Sequence, residues 1–524
     1  MTLVSACLAL AAALSAADTA GDCANFSVSD AQCGTKVGLS LSSDTEFRTG
    51  PTAGNIQRLP PTELRQSAEL CKPAAFYQPA LPPGIASPPG LPPAPTEATN
   101  ALREPASPLP AGAPPVFAGP APAAAPLEPE THADMVAGGD EFFTRSELLG
   151  ELGKLTWSKG GFKITPYGWL WASMSYESQR SRITDYCLFV ESPSLVEEAA
   201  FGVDAKSTRL GVDVVGPEIC WFPEAQNGGK LEIDFQGRFL QRNKPDVLLR
   251  HAYWEVKNDE YRLLAGQTWD VISPLYLPIL NYTAGSAVGN LGYRRAQLRA
   301  ERYLALSDTA LLTLQGALAV DILIEFINDP EVTADHGPYP DLQGRIGYTI
   351  GRRTGPDARP ATVGVSAHIG ESSYDFRAPL PDPIDDVARR TWSLNADLSV
   401  PIGKRAGIQG EFFTGENLAG YYAGILQGVD RVTRRTIRAT GGWADFWFDP
   451  CPTWHWHAGY SIDDPFNQDL TSGRLYNHTI YTNLSYDVAK FLTMGLEVSV
   501  WRTGWVDLRP GQSTRLEFAT RYKF

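Results

Sequence analysis

The feature of this sequence that most constrains its fold is an alternation of apolar and polar residues from about residue 161 to residue 524. Side chains of a β-strand point alternately to opposite faces, so this period gives each strand one apolar and one polar face. Leu231, Ile233 and Phe235, for example, alternate with Glu232 and Asp234. The pattern predicts sixteen strands, at residues 164–178, 208–215, 230–240, 248–256, 260–267, 295–303, 311–320, 342–350, 361–370, 391–400, 406–413, 437–448, 453–461, 476–486, 492–501 and 513–524. Strands of about ten residues, apolar outside and polar inside, are typical of transmembrane β-barrels.

The connections between the predicted strands favour a barrel over a soluble secreted β-sandwich, whose strands also alternate. The turns after even-numbered strands are tight, as at 257–259 and 403–405, whereas those after odd-numbered strands are mostly long. The connection after strand two is a longer exception. This asymmetry is that of outer-membrane barrels, with short periplasmic turns and long external loops. The sequence therefore predicts an all-β, 16-stranded antiparallel transmembrane β-barrel in the cell outer membrane.

The connection between strands five and six is the most unusual of the long loops. Strand five ends in LLAGQTWD and strand six begins at RRAQLRAER, with the apolar, Gly-rich segment VISPLYLPILNYTAGSAVGNLGY between them. Loops of this length inside a compact domain are uncommon and are usually functional. We expect this loop to fold into the barrel and to constrict its lumen.

The region before the barrel divides by composition into four segments. Residues 1–17 are apolar, rich in small residues and end in Ser-Ala-Ala, which indicates a signal peptide despite the missing basic start. Residues 18–72 are polar and irregular, and residues 73–143 form a Pro/Ala-rich linker of a composition that favours disorder. A capping box at Thr144 and Glu147 predicts a short helix at 144–157. The linker is interpreted as a spacer, with a tether to the cell wall as the alternative.

Composition and motifs argue against several functional classes. Asp and Glu outnumber Lys and Arg by 59 to 45, which disfavours a nucleic-acid partner. No nucleophile elbow, phosphate-binding loop or metalloprotease motif is present, so no catalytic residue or cofactor is predicted. His455 and His457 share one strand face without an evident third ligand, so no metal site is predicted. Cys23 and Cys33 have a spacing that permits a small disulfide.

Residues 161–524 resemble the sixteen-stranded general porins, and among them the DcaP-type outer-membrane porins. The resemblance is carried by TRLGVDVVGPE, LLRHAYWEV, AGQTWD, RRAQLRAER and GEFFTGENLAGYYAGILQGV. It implies a homotrimer, a constricting third loop and diffusion of small polar solutes, often anions such as dicarboxylates. The sequence departs from the family at its N-terminus, where the Pro-rich tract replaces a longer region of coiled-coil character.

The predicted strand faces identify charged residues that point into the lumen. Arginine offers a permanently charged planar fork to carboxylates and phosphates, so inward arginines near the inserted loop are candidate solute contacts. Strand six presents several polar residues on one face beside that loop. The candidate pore-lining residues are Arg209, Arg238, Arg250, Arg295, Gln297, Arg299, Arg345 and Asp270. Inward acids such as Asp397, Glu411 and Glu497 offer the alternative, in which each arginine is paired structurally across strands.

These observations predict a porin for passive diffusion, with outer-membrane lipid as its surroundings and small polar or anionic solutes as its cargo. The first alternative is a structural barrel without significant conductance that anchors the membrane to the cell wall through its N-terminal extension. The second is a barrel-embedded hydrolase. The segment 415–422 after strand eleven is interpreted as a surface loop packed on itself, with packing over the barrel mouth as the alternative.

Overall fold

The computed structural model describes residues 156–219, 222, 224–237, 245–322, 332–353, 358–377 and 380–524. Almost all regular structure in these residues is β-strand. The strands are β1 (Trp157–Lys159), β2 (Phe162–Glu177), β3 (Ala200–Asp204), β4 (Arg209–Val215), β5 (Gln226–Asp234), β6 (Leu248–Lys257), β7 (Tyr261–Trp269), β8 (Arg294–Ser307), β9 (Ala310–Ala319), β10 (Val332–His336), β11 (Asp341–Ile350), β12 (Ala361–Phe376), β13 (Ile384–Ile402), β14 (Ala406–Glu416), β15 (Arg438–Cys451), β16 (Trp454–Pro465), β17 (Arg474–Ala489), β18 (Leu492–Trp505) and β19 (Leu508–Lys523). Three single-turn 3₁₀ helices lie in loops, at Ala419–Tyr421, Gly424–Leu426 and Asn467–Asp469.

The strands form one closed antiparallel barrel. Most strands pair with their neighbours in sequence, β9 pairs with β11, and the last strand, β19, pairs with β2 to close the sheet. β3 and β4 both pair with β2, and β10 and β11 both pair with β12, so each of these pairs is one interrupted strand of the wall. With β1 as a short hairpin arm on β2, the described wall has sixteen strands, as predicted.

The outer surface of the barrel is apolar and its interior is polar, which is the reverse of the distribution in a soluble protein. On β12 the outward residues Val363, Val365 and Ile369 are 52–54% exposed, while the inward Ser366 and His368 are 3–4% exposed. A wall with an apolar exterior and a polar interior suits a hydrocarbon surrounding, because lipid solvates the outside and water or loops occupy the lumen. This distribution excludes the soluble-sandwich alternative.

The two ends of the barrel differ as predicted. The turn end carries short connections at 258–260, 308–309, 403–405, 452–453 and 490–491, and the loop end carries long connections. The connection between β18 and β19 is an exception, because only Val506 and Asp507 separate these strands. Large exposed aromatic residues cluster toward the turn end, where rings that are half polar prefer a lipid–water boundary. They include Trp254, Phe446, Trp454, Tyr486, Tyr522 and Phe524.

The segments predicted before the barrel lie almost wholly outside the described residues. This applies to the signal peptide at 1–17, the segments 18–72 and 73–143, the disulfide between Cys23 and Cys33, and all but the end of the helix at 144–157. Trp157, the last residue of that helix, lies in β1. Among the described residues, no helix is long and apolar enough to cross a membrane.

Gly266 allows β7 to approach β6 closely beside the inserted loop. Its φ of +132° belongs to a region that favours glycine, and it pairs with Tyr253 of β6. A Cβ atom added at this position would lie 2.6 Å from the Cα atom of Tyr253, which is too close for two carbon atoms. β7 therefore depends on this glycine just before it enters the loop.

We expect Gly266→Ala to lower the free energy of unfolding by roughly 1–3 kcal/mol, because it adds both backbone strain and a steric clash. The matched control is Gly316→Ala on β9, where the nearest heavy atom to an added Cβ is 3.9 Å away. Urea unfolding of the detergent-solubilised protein, followed by tryptophan fluorescence, measures both. Equal midpoints for the two variants would refute the requirement for glycine at position 266.

Candidate functional site

Three loops from the loop end fold into the lumen. We call residues 178–199 the first loop, 270–293 the constriction loop and 417–437 the sixth loop. Their buried apolar side chains form a hydrophobic cluster inside the barrel, an environment that the polar strand faces alone do not provide. The cluster joins Tyr186, Leu188 and Phe189 of the first loop to Ala287 of the constriction loop and Ala419, Ile425 and Leu426 of the sixth. The three loops therefore stabilise one another by burying apolar surface.

The constriction loop is fixed to the wall by inward polar side chains. Glu411 of β14 accepts hydrogen bonds from the Ser273 hydroxyl at 2.6 Å and from the Leu275 N–H at 2.9 Å. Glu497 of β18 accepts one from the Leu280 N–H at 2.7 Å. These bonds satisfy backbone groups of the loop that would otherwise be buried without partners. The prediction that this loop folds into the lumen is confirmed, and it lies along the wall from β11 to β18.

The sixth loop is not the self-packed surface loop that the sequence favoured. Tyr421 is fully buried, and its hydroxyl donates to Asp341 of β11 at 2.6 Å. The guanidinium of Arg295 lies 3.8 Å from the centre of the Tyr421 ring, and His368 stacks on that ring at 3.8 Å. The loop enters the barrel because its aromatic and aliphatic residues find partners there that solvent does not offer.

A cavity remains between the constriction loop and a wall formed mainly by β2 to β8, with residues of β17 and β19 completing its lining. Its volume is about 110 Å³, enough for several water molecules, since each needs roughly 10–15 Å³. Among the described residues that line it are four arginines, and none is an aspartate or a glutamate. The arginines are Arg209, Arg250, Arg294 and Arg521. The other described lining residues are uncharged, and many of them are tryptophans or tyrosines.

Two of the sequence-predicted residues, Arg209 and Arg250, line this cavity. Arg250 is held from behind by Glu232, at 2.6 Å from its Nε, and by Asp234, at 2.8 Å from its Nη1. Arg209 lies 3.8 Å from Glu232 and stacks on the ring of Trp169 at 4.5 Å. The carboxylates therefore orient these guanidinium groups and stay outside the cavity lining.

The other described candidates are inward but are bound to wall and loop groups. Asp270 lies at the start of the constriction loop, 2.7 Å from the Nε of Arg295, which is itself fully buried. Arg299 is buried, and its guanidinium group contacts the Glu301 carboxylate and the carbonyl oxygen of Trp269. Three further contacts are of the same structural kind. Gln297 donates to the Thr268 carbonyl, the Asp270 carboxylate accepts from Gln343, and Arg345 forms a two-point contact with Asp397.

The solute contact predicted for these inward residues stays a prediction, and Arg238 lies outside the described residues. His455 and His457, which share a face, contact aspartates: Asp449 and Asp487 for the first, Asp445 for the second. In the described part of the chain, no group of three or more His, Cys, Asp or Glu side chains is arranged to hold a metal ion.

Two lining arginines, Arg294 and Arg521, were not among the residues predicted from the sequence. Strict alternation with the inward Arg295 assigns Arg294 to the outside, yet both residues are buried, at 4% and 1% exposure. Arg294 pairs with Trp269 where β7 and β8 leave the wall and enter the constriction loop. At this strand end both side chains are buried, and of the two Arg294 lines the cavity, so period two fails at this point. The sequence signal for this exception was the position of Arg294 opposite Trp269, where the strand passes into the loop at Asp270.

Comparisons with known proteins agree on the fold. No protein-family model matches the chain, and no curated protein matches it significantly. Among solved structures, the outer membrane channel DcaP of Acinetobacter baumannii is 16% identical, covers 70% of this chain and 99% of its own length, and superposes with a TM-score of 0.55. The chain has the porin-type barrel fold. The anion-selective porin of Comamonas acidovorans is a more distant likeness, with 12% identity, 69% and 100% coverage and a TM-score of 0.46.

The closed barrel, its apolar exterior and the porin-type fold together support an outer-membrane location. The fold was predicted from the sequence, and the resemblance to DcaP-type porins is confirmed at the level of the fold.

We expect the double variant Glu411→Ala and Glu497→Ala to free the constriction loop from the wall. A hydrogen bond contributes roughly 0.5–1.5 kcal/mol net, so loss of three should permit local opening. Hydrogen–deuterium exchange of peptides covering 271–285 should be at least about tenfold faster, which corresponds to 1.4 kcal/mol of local stability.

The control is Glu260→Ala, which removes an exposed carboxylate at the turn end that pairs with the outward Arg302. Unchanged exchange in the double variant would mean that apolar packing alone holds the loop in the lumen.

Proposed function

We propose that this protein is an outer-membrane porin that allows passive diffusion of small hydrophilic solutes, with a preference for anions. The observation that carries the proposal is the cavity beside the constriction loop, which has arginines and no acidic residue among its described lining. A pore of this kind needs a wet lumen, a narrow point and fixed charges that replace part of the hydration of the solute. It needs no covalent chemistry, and we propose no enzymatic activity.

The charge balance around the cavity supports the preference for anions. Of the four lining arginines, Arg521 interacts electrostatically with the nearby Asp487, so these two charges offset each other. The other three, Arg209, Arg250 and Arg294, are accompanied by two carboxylates, of Glu232 and Asp234, so one positive charge is in excess. Both carboxylates lie behind Arg250, whereas the guanidinium groups line the open space. Low-dielectric aromatic walls focus the resulting potential and raise the local concentration of anions.

We also propose the arrangement of the protein in the envelope. Residues 1–17 are removed as a signal peptide, residues 18–72 form an irregular segment, and residues 144–157 include a short helix. The Pro/Ala-rich linker at 73–143 is a spacer, with contact to the cell wall as the alternative. The barrel assembles as a homotrimer in outer-membrane lipid. The support for these proposals is the composition of the N-terminal region and the porin-type fold.

A structural barrel without significant conductance is the second candidate. It is favoured by the three loops that occupy the lumen, since inward residues such as Ser461, Asn477 and Thr503 are completely buried. In this candidate the loops are a plug, and the barrel anchors the membrane to the cell wall.

Planar-bilayer recording with the full purified chain separates the two candidates. For the porin, we expect stepwise increases in current. Under a tenfold salt gradient, the reversal potential should have the sign that indicates preferential passage of anions. A folded, heat-modifiable barrel that gives no current over many insertions would refute the porin and favour the structural barrel.

We expect the double variant Arg209→Gln and Arg294→Gln to abolish or invert the anion preference. It changes the balance at the cavity from one excess positive charge to one excess negative charge, which repels anions. The reversal potential in the same gradient measures the change. The control is Arg302→Gln, because Arg302 points outward and is 47% exposed. An unchanged reversal potential in the double variant would show that selectivity is set elsewhere.

A further inference from the structure

Arg294 differs from the inward arginines that are bound to carboxylates. Its guanidinium lies 4.6 Å from the ring centre of Trp269 and 4.6 Å from that of Tyr293, and its Nη2 donates to the Tyr293 hydroxyl at 2.8 Å. The described residues place no carboxylate within ion-pair distance of it. Its Nε and Nη1 have no hydrogen-bond partner although the side chain is 4% exposed.

Buried donors without partners are rare in folded proteins and need an explanation. Arg209, on the same wall, also has an Nε without a hydrogen-bond partner. Both arginines are held by aromatic rings, which fix a guanidinium group without neutralising it. Both side chains line the cavity, and a rotation of either guanidinium group would bring its buried, unpartnered donors to a molecule inside it.

The cavity is asymmetric in charge. The arginines lie on the wall side, whereas the constriction loop contributes uncharged groups, including Tyr276, Tyr282, Thr283 and Ala284. The Tyr282 hydroxyl is bound to Asp234 at 2.9 Å, which keeps its ring at the cavity. A ligand that satisfies both sides has one anionic end and one flat, largely apolar body.

We infer that the lumen holds a saturable binding site for an aromatic monocarboxylate, with Arg294 as the principal carboxylate contact and aromatic rings beside the ring of the ligand. This inference rests on the proposed pore function and names the class of solute that the pore retains. Guanidinium–carboxylate hydrogen bonds are strong and directional, and aromatic pairs add about 0.5–1.5 kcal/mol beyond their buried area.

The test uses benzoate as the probe, with acetate as a monocarboxylate that lacks a ring. Benzoate should occlude the open-channel current of the full chain in a saturable manner, and acetate at equal concentration should permeate without occlusion. Arg294→Gln should raise the half-blocking concentration of benzoate by about tenfold, because one charge-assisted hydrogen bond is lost. Arg294→Lys should give an intermediate value, since it keeps the charge and loses the planar stacked group. Arg302→Gln should match the unmodified protein.

Equal effects of benzoate and acetate, or an unchanged benzoate block in Arg294→Gln, would overturn the inference and leave the porin proposal intact. A protein that gives no current fails the porin proposal instead. The site is then tested by benzoate titration of tryptophan fluorescence in detergent, because Trp169, Trp171 and Trp269 line the cavity. Saturable quenching that weakens about tenfold in Arg294→Gln supports the site, and quenching without saturation overturns it.

Discussion

Backbone hydrogen bonding in a medium without water is the constraint on which this structure depends. Every N–H and C=O group of a lipid-facing strand must find a partner in the protein, because hydrocarbon offers none. The sheet meets this requirement by pairing β19 with β2, and the backbone of Phe524 exchanges hydrogen bonds with Gly168. Closure pairs the last strand with β2, so neither of these two strands ends the sheet as a free edge. It also creates an enclosed interior whose side chains are polar and need partners of their own.

The loops supply many of those partners, and this determines the shape of the lumen. Glu411 and Glu497 are inward carboxylates without an arginine or lysine in ion-pair contact among the described residues, and each accepts a backbone N–H from the constriction loop. The loops in turn bury their apolar side chains against one another, which produces a small hydrophobic core inside a polar barrel. Because this assembly covers most of the wall from β11 to β18, the remaining space lies mainly against β2 to β8, which carry Arg209, Arg250 and Arg294. Arg521 of β19 and two residues of β17 complete its boundary.

The roles of the inward arginines follow from this arrangement more than from their charge. Arg295 forms an ion pair with Asp270 and Arg345 forms one with Asp397, which is the structural pairing that the sequence offered as an alternative. Arg209 and Arg250, in contrast, line the remaining cavity. Arg294 acquires its position because the strand ends turn inward, and aromatic rings rather than a carboxylate fix its guanidinium. An electrostatic preference of the pore therefore depends on which positive charges remain without close carboxylates.

The sequence by itself determined the sixteen strands, the direction of their faces, the difference between the two ends and the insertion after β7. These features are set by a local period of two and by turn lengths, which can be read from neighbouring residues. The tertiary structure alone decided that the sixth loop enters the barrel, that β3 and β10 extend the wall, and that Arg294 rather than Arg299 lines the cavity. Those outcomes depend on contacts between residues more than fifty positions apart, such as Tyr421 with His368 and Asp341 at one site and Glu411 with Leu275 at another. No local pattern encodes such contacts, because they exist only once the barrel has closed around its loops.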